Sequence, residues 1–427
     1  MPILEWISEN GKEITLNVRS ESTVVMEGGQ LSYTFDFEGR LMGAFLHGKN
    51  YRRGMDNEVL EKASGERPGL AGRLRRNLER SEVRELEDRA YSYMRQRNAE
   101  LASGRMLAEQ NAVAIEQARE AFARIDRFNF DRLEIERETF HRIYKPVTIL
   151  PPDQYLALYL QATEGCSFNS CAFCGFYQDR HFRVKSLNEF RDHIRRVRTF
   201  FGGSALVRQS LFLGDANALL IPQSALLPLF DTLNTEFTIV PHGMTVEARA
   251  EWKREHPNHF NGIYSFIDAF ATRRKTAEDY KALAERGLRR VYVGLETGDA
   301  ELLHFLGKPN TPLEVVELAN HVKAGGLGLG IIVLVGAGGD KFAEAHAKNT
   351  ARILNAMQLD DNDIIYFSEL VDSPGSAYSA ITREAGISPL TFEEIQRQMV
   401  RMRTGLEFAQ PNNSPKVSYY DIREFIY

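Results

Sequence analysis

The sequence predicts an α/β chain: a partial (βα)6 barrel, preceded by a β-meander with a helical extension and followed by a C-terminal helix and tail. Three observations predict it. Beyond residue 150, short apolar runs alternate with amphipathic helical stretches, the pattern of a parallel sheet buried by helices. Before residue 150 the pattern differs, with alternating strands first and long charged stretches after them. All three cysteines fall in one short segment directly after the first of the apolar runs.

Each element follows from its local pattern. Leu31-Ser-Tyr-Thr-Phe-Asp-Phe37 alternates apolar and polar residues, follows the turn signal Glu27-Gly-Gly-Gln30, and precedes Glu38-Gly-Arg40 and the run Leu41 to Leu46. A small meander over residues 1 to about 50 is expected. From Asp56 to Phe140, Arg, Glu, Ala, Leu and Gln dominate, and Glu82 to Arg89 carries charges at i,i+3 and i,i+4 spacing. Long helices are expected there, broken near Ser103-Gly104. Pro146 to Pro152 reads as a linker. Strands are then predicted over Tyr155–Ala162, Val207–Leu213, Ile263–Asp268, Arg290–Leu295, Leu329–Val335 and Ile364–Leu370. The intervening helices are Leu187–Phe201, Pro222–Asn234, Ala277–Arg286, Pro312–Ala324 and Phe342–Met357. Phe237-Thr-Ile-Val240 competes for the place of the third strand. Six strands suit an open barrel better than a closed eight-fold one. A last helix is capped by Thr391 with Glu394 at N3, and an aromatic tail, Pro411 to Tyr427, follows. The expected division is 1–150, 151–385 and 386–427.

Composition narrows the function. The chain has 427 residues, 43% hydrophobic content and a net charge of −5. The acidic balance argues against a dedicated nucleic-acid binder. Arg180-His-Phe-Arg-Val-Lys185 and Arg195-Arg-Val-Arg198 could guide an anionic substrate or polynucleotide but read better as solvated faces, and Tyr419, Tyr420 and Phe425 could cover the barrel mouth but read better as packing for the last helix. No apolar run approaches the ~20 residues that span a bilayer. The N-terminus Met-Pro-Ile-Leu-Glu-Trp has no basic or apolar leader pattern. Clustered cysteines with none elsewhere exclude a disulfide framework and point to a reducing cytoplasm.

The cysteines, Cys166, Cys171 and Cys174, stand in a C-x4-C-x2-C pattern. Three thiolates on one tight loop can hold three irons of a cubane cluster and leave the fourth open. A Cys3His zinc site with His181 is one alternative, and a redox pair of Cys171 and Cys174 is another, although it leaves Cys166 unexplained. Val335-Gly-Ala-Gly-Gly-Asp340 has glycines between a strand and a helix, but lacks the full dinucleotide-binding pattern.

This cluster, its place after strand one and the aromatic Phe173 before the last cysteine resemble the radical S-adenosylmethionine (SAM) superfamily. The match is to a branch reading C-x-W-N-x-C-x-F-C-G-x-Y, with Phe168 in the Trp slot. The resemblance covers about residues 151–385, and the core is loosely similar to the elongator and coproporphyrinogen-dehydrogenase types. It implies a [4Fe–4S] cluster on Cys166, Cys171 and Cys174, with SAM on the open iron. Gly214, Asp215 and Ala216, ending Ser210-Leu-Phe-Leu-Gly-Asp-Ala216, would receive the methionine amino group. Glu296, in Tyr292-Val-Gly-Leu-Glu-Thr-Gly-Asp299, would make polar contact with SAM. In Gly330-Ile-Ile-Val-Leu-Val-Gly336, Ile332 and Gly336 would lie against the adenine, whose edge Asp372 to Tyr378 would read. The implied reaction is reductive cleavage of SAM to a 5′-deoxyadenosyl radical, which takes hydrogen from a small-molecule substrate. The implied electron donor is a flavodoxin or ferredoxin. A heme chaperone on the same fold, using His47, His141 or His181, and a tRNA-modifying enzyme are the rival readings.

Overall fold

A computed structural model describes residues 3–64, 73–103, 112–272, 274–372, 375–408 and 411–427. Gly104, Ser373 and Pro374, which fall in the expected helix break and in the segment after strand six, lie outside the described residues.

Alternation builds the first sheet. In β1 (Ile3–Ile7) and β2 (Glu13–Val18) every second residue turns inward, burying Leu4, Trp6, Ile14 and Leu16. Six further strands follow in sequence: β3 (Ser22–Glu27), β4 (Leu31–Asp36), β5 (Leu41–Leu46), β6 (Lys49–Arg53), β7 (Val59–Ser64) and β8 (Arg73–Asn77). Each pairs antiparallel with the one before it, giving an eight-stranded meander. The helices α1 (Arg80–Ala102), α2 (Ala112–Ile125) and α3 (Phe130–Ile143) share its core, where Trp6, Tyr33, Phe35, Tyr91 and Phe122 meet.

The sheet runs further than the sequence suggested, and helices begin at Arg80 rather than near Asp56. The charges of β7 and β8 imitate a helical composition, but they pair across strands. Glu61 on β7 faces Lys49 on β6 at 3.3 Å and Arg76 on β8 at 3.2 Å. The same compact unit also contains residues 195–208 and 423–427.

The second unit, residues 149–194 and 209–422, holds the parallel sheet. In chain order it contains β9 (Ala157–Gln161), β10 (Thr163–Glu164), β11 (Arg183–Val184), the start of α4 (Leu187–Phe201), β12 (Ser210–Gly214), α5 (Gln223–Glu236) and α6 (Val246–Glu255). Next come β13 (Ile263–Ile267), α7 (Ala277–Glu285), β14 (Leu288–Glu296), α8 (Ala300–Phe305) and α9 (Pro312–Ala324). The unit closes with β15 (Gly328–Val335), α10 (Gly339–Asn355), β16 (Ile364–Glu369), α11 (Ala377–Glu384), α12 (Phe392–Thr404) and β17 (Lys416–Tyr420). Seven strands run parallel in the order β17-β16-β15-β14-β13-β12-β9, an open sheet. Threonine capping boxes start α7, α9 and α12, the last being the predicted Thr391–Glu394 pair.

One assignment changes and one competitor falls away. The aromatic tail supplies a seventh strand, β17, which puts Tyr420 inside and leaves Tyr419 half exposed. Phe237 to Val240 makes only a single bridge, Ile239 to Phe260, and β13 is the third main strand.

Candidate cluster and cofactor site

The cysteines sit on a loop whose ends are tied. β10 and β11 pair antiparallel at its base, with Thr163 opposite Val184 and Glu164 opposite Arg183. Burial alone would raise the Glu164 carboxyl, but hydrogen bonds from Arg183 and Lys185 outweigh it and hold it at about 2. Inside the loop the Cys174 amide donates to the Cys171 carbonyl at 3.1 Å. Asn169 adopts φ 49°, points its amide at Cys166 Sγ (3.4 Å) and donates from Nδ2 to the Tyr177 carbonyl. The Ala172 amide donates to Leu306 O at the end of α8, 3.0 Å away.

Asp215 ties this loop to the sheet. Its buried carboxylate accepts from Tyr159 Oη (2.7 Å), Gln161 Nε2 (2.9 Å), the Gly165 amide (2.9 Å) and Arg180 Nη1 (3.3 Å). Its own amide donates to Thr163 Oγ1 at 2.8 Å, and the Gly214–Asp215 peptide is cis.

A cavity of about 200 Å³ opens beside the loop, and all three cysteines line it. Burial pushes the Cys171 thiol up to about 12, with Lys308 opposing and Cys174, Glu296 and Cys166 adding. Burial likewise pushes Cys174 up to about 11. Such thiols stay protonated until a metal cation displaces the proton. Among the described residues no group of three or more His, Cys, Asp or Glu is arranged to hold a metal ion. Ligands of one zinc ion crowd within ~2.3 Å of it, whereas a cubane takes its thiolates on separate irons. His181 is exposed. Three half-buried thiols on one loop, lining one cavity with no fourth cysteine, fit a three-thiolate cluster.

An ion pair lines the same cavity. Glu296 ends β14 with φ 62°, and Lys308 Nζ lies 2.7 Å from its Oε1 while also donating to the Gly294 carbonyl. A Cβ at Gly294 would collide with the Glu296 carboxylate. The turn behind Glu296 is held by α10: Thr297 Oγ1 meets His346 Nδ1 at 2.7 Å, and the Gly298 amide donates to Thr350 Oγ1 at 2.9 Å. Burial pushes His346 down to about 4, so the imidazole is neutral and donates from Nε2 to the Leu334 carbonyl.

Of the residues singled out by sequence, Cys166, Cys171, Cys174, Phe173, Ala216, Glu296 and Ile332 line this one cavity. Gly214 and Asp215 do not. Gly214 packs against the Tyr159 ring, where a Cβ would clash, and the Asp215 side chain turns back into the loop. Gly336, at φ 82°, donates its amide to Gln398 Oε1 (2.8 Å) away from the cavity. The glycine run to Asp340 packs on its own chain: the Asp340 amide donates to Ser388 O at 3.0 Å, and a Cβ at Gly339 would strike that same oxygen.

Lys308, Asp268 and Tyr292 also line the cavity and were not anticipated, and Tyr420 lines it too, the less favoured of the two readings of the aromatic tail. Asp268, just past the end of β13, carried the same signal as Glu296, an acid at a strand end. Its Oδ2 accepts from Asn217 Nδ2 at 2.7 Å. Lys308 carried no such signal, because Gly307-Lys308-Pro309 reads as a solvated turn.

A parallel βα sheet with three thiols and an ion pair around one cavity beyond its first strand defines a class of cofactor-dependent protein. Residues 160–348, a little under half of the chain, match the family model described as Radical SAM superfamily, a family whose enzymes use a [4Fe–4S] cluster and SAM. No curated protein matches the chain. Among solved structures, HemN from Escherichia coli, a coproporphyrinogen III oxidase, is 16% identical over 58% of this chain and 52% of its own, with a TM-score of 0.39. Elp3 of the archaeon Methanocaldococcus infernus is 10% identical over 61% of this chain and 55% of its own, with a TM-score of 0.37. SuiB from Streptococcus suis, bound to SAM, is 12% identical over 87% and 72%, with a TM-score of 0.37. The chain thus spans little more than half of the HemN and Elp3 chains. Likeness this slight carries no weight in assigning chemistry.

Proposed function

We propose that the chain holds a [4Fe–4S] cluster on Cys166, Cys171 and Cys174, binds SAM in the adjoining cavity, and abstracts hydrogen from a small-molecule substrate. The observation that carries this reading is the convergence of three thiols and the Glu296–Lys308 pair on one largely apolar cavity. Bound together, cluster and SAM supply a one-electron cleavage that yields a 5′-deoxyadenosyl radical.

The protein's own residues position and shield. Glu296 offers an anion, and Lys308 a cation, to the ammonium and carboxylate of a methionine group. Ile332, Leu334, Phe173 and Phe266 make walls that exclude water. Asp215 fixes the loop, and α10 fixes the turn that carries Glu296. The electron donor in this proposal is a flavodoxin or ferredoxin. In this proposal residues 1–150 serve as a lid or substrate-recognition module, 151–385 as the core and 386–427 as a C-terminal helix and tail, with 195–208 and 423–427 packing in the N-terminal unit. Among the described residues no helix is long and apolar enough to cross a membrane.

Anaerobic reconstitution tests the reading, with iron and zinc measured and 5′-deoxyadenosine assayed after adding dithionite and SAM. About four irons per chain with slow deoxyadenosine formation support it. Zinc in place of iron, or iron retained after all three cysteines become alanine, defeats it. Lys308→Met should keep its iron yet bind SAM about tenfold more weakly, a loss of ~1.4 kcal/mol, read by equilibrium binding to the iron-loaded protein.

A further inference from the structure

Six arginines and two glutamates line a second cavity, of about 890 Å³, in the N-terminal unit. This is a local excess of positive charge on a chain whose net charge is −5. Three separate segments contribute. Arg127 lies in the connection before α3, Arg132 and Arg142 on one face of α3, and Arg195 and Arg196 on α4. Arg132 and Arg142 are ten residues apart on the helix, about 15 Å along its axis.

The sixth arginine is already committed. Arg40 is buried, pairs with Glu136 and with Asp36 (3.3 Å), and donates to the Phe200 carbonyl at 2.6 Å. Its guanidinium lies over the rings of Phe128 and Phe200, so these three side chains make a closed floor. Glu38 is also engaged, accepting from the Gly203 amide at 2.7 Å.

The other five are exposed, and Arg127, Arg132, Arg142 and Arg196 have weak or no counter-charge. Arg142 pairs with Glu138 at 3.3 Å, both side chains being mostly exposed, a contact worth little. Arg196 donates to the Arg142 backbone carbonyl and so caps the end of α3 without losing its charge. Among the described residues neither Arg127 nor Arg132 makes an ion pair. Every cation lining the cavity is arginine, and the planar guanidinium fork matches phosphate oxygens two at a time. The volume exceeds what one phosphate fills, and the charges are spread along α3 rather than focused at one point.

We propose that this groove binds a ligand carrying several phosphate groups spaced along its length. Such phosphates come either from a free polyphosphorylated small molecule or from a single-stranded nucleic-acid backbone. The buried floor offers no open aromatic face for base stacking, so recognition is of phosphate rather than base.

The test is calorimetric titration of the full, iron-loaded protein with tripolyphosphate and, separately, with a uridine hexanucleotide, at low and high salt. At least one probe should bind, with affinity falling as salt rises. A strand contacting three arginines should show a log–log slope of about −2. Tripolyphosphate alone binding identifies the small-molecule source, and the hexanucleotide alone identifies the strand. The double variant Arg132→Gln/Arg195→Gln should bind at least tenfold more weakly, with iron content and melting temperature unchanged. Cys166→Ala should lose iron and keep probe binding, which separates this groove from the cluster site. Failure of both probes to bind, or equal binding by the double variant, overturns the proposal.

Discussion

Four donors converge on Asp215, and one of them is the amide of Gly165, the residue before Cys166. An asparagine there would turn its NH2 toward one pair of these donors, and of the four donating groups only the Tyr159 hydroxyl could accept from it, so at least one buried donor would lose its acceptor. Asp215→Asn should therefore cost about 3–5 kcal/mol, the usual penalty for breaking a buried charge network. It should also release iron although every cysteine remains; thermal melting and iron content check both. Glu87, on α1, shows the opposite economy. It is fully buried, and burial pushes its carboxyl up to about 7, with Arg53 and Asn57 opposing although neither oxygen completes a hydrogen bond. Its folded pKa exceeds the ordinary 4.5, so its stabilising contribution is complete below that value and fades as pH rises through 7. Glu87→Gln should thus raise the melting temperature at pH 8, by up to about 3 kcal/mol of stability, and leave it unchanged at pH 4. The sequence announced the cysteines by spacing and Glu296 by its strand end. Asp215 was expected to act through its backbone, and Lys308 was hidden because long-range pairing leaves no local pattern.

At the scale of elements, the turn from β14 into α8 is the most constrained piece near the cavity. A Cβ on Gly298 would lie 2.4 Å from Asn349 O and 2.6 Å from Thr350 Cα. Gly298→Ala should force the turn away from α10, loosen the His346 contact and cost about 1–3 kcal/mol, with hydrogen exchange accelerating at Thr297 to Asp299. The strand–helix alternation of the core was legible because buried parallel strands are nearly uninterrupted apolar runs. The helices Leu187–Phe201 and Pro312–Ala324 fall at their expected limits. β7, β8 and β17 were not legible. The first two spend their charges on cross-strand pairs, and Lys-Val-Ser-Tyr-Tyr is too short and polar to declare itself a sheet strand.

At the scale of the whole molecule, the compact units interleave along the chain. The N-terminal unit takes residues 195–208, the second half of α4 and the turn after it, and residues 423–427, which follow the last strand. Arg40 depends on the Phe200 carbonyl, and the Met55 amide donates to the Tyr427 carbonyl at 2.5 Å. A fragment of residues 1–150 should therefore keep its far-ultraviolet signal but lose near-ultraviolet ellipticity and bind a hydrophobic dye, as a loosely packed state does. Such interleaving has no local signature, since hydrophobic periodicity reports which face is buried and not against what.

Tyr420 and Ile422 line the same cavity as the thiols. Tyr420 lies 246 positions after Cys174 (420 − 174). On a ribosome adding ~5–20 residues per second, that interval lasts about 12–50 s. During it the cysteine loop exists without part of its cavity lining, which gives the biosynthetic machinery a period in which metal can reach thiols that are less enclosed than in the finished chain.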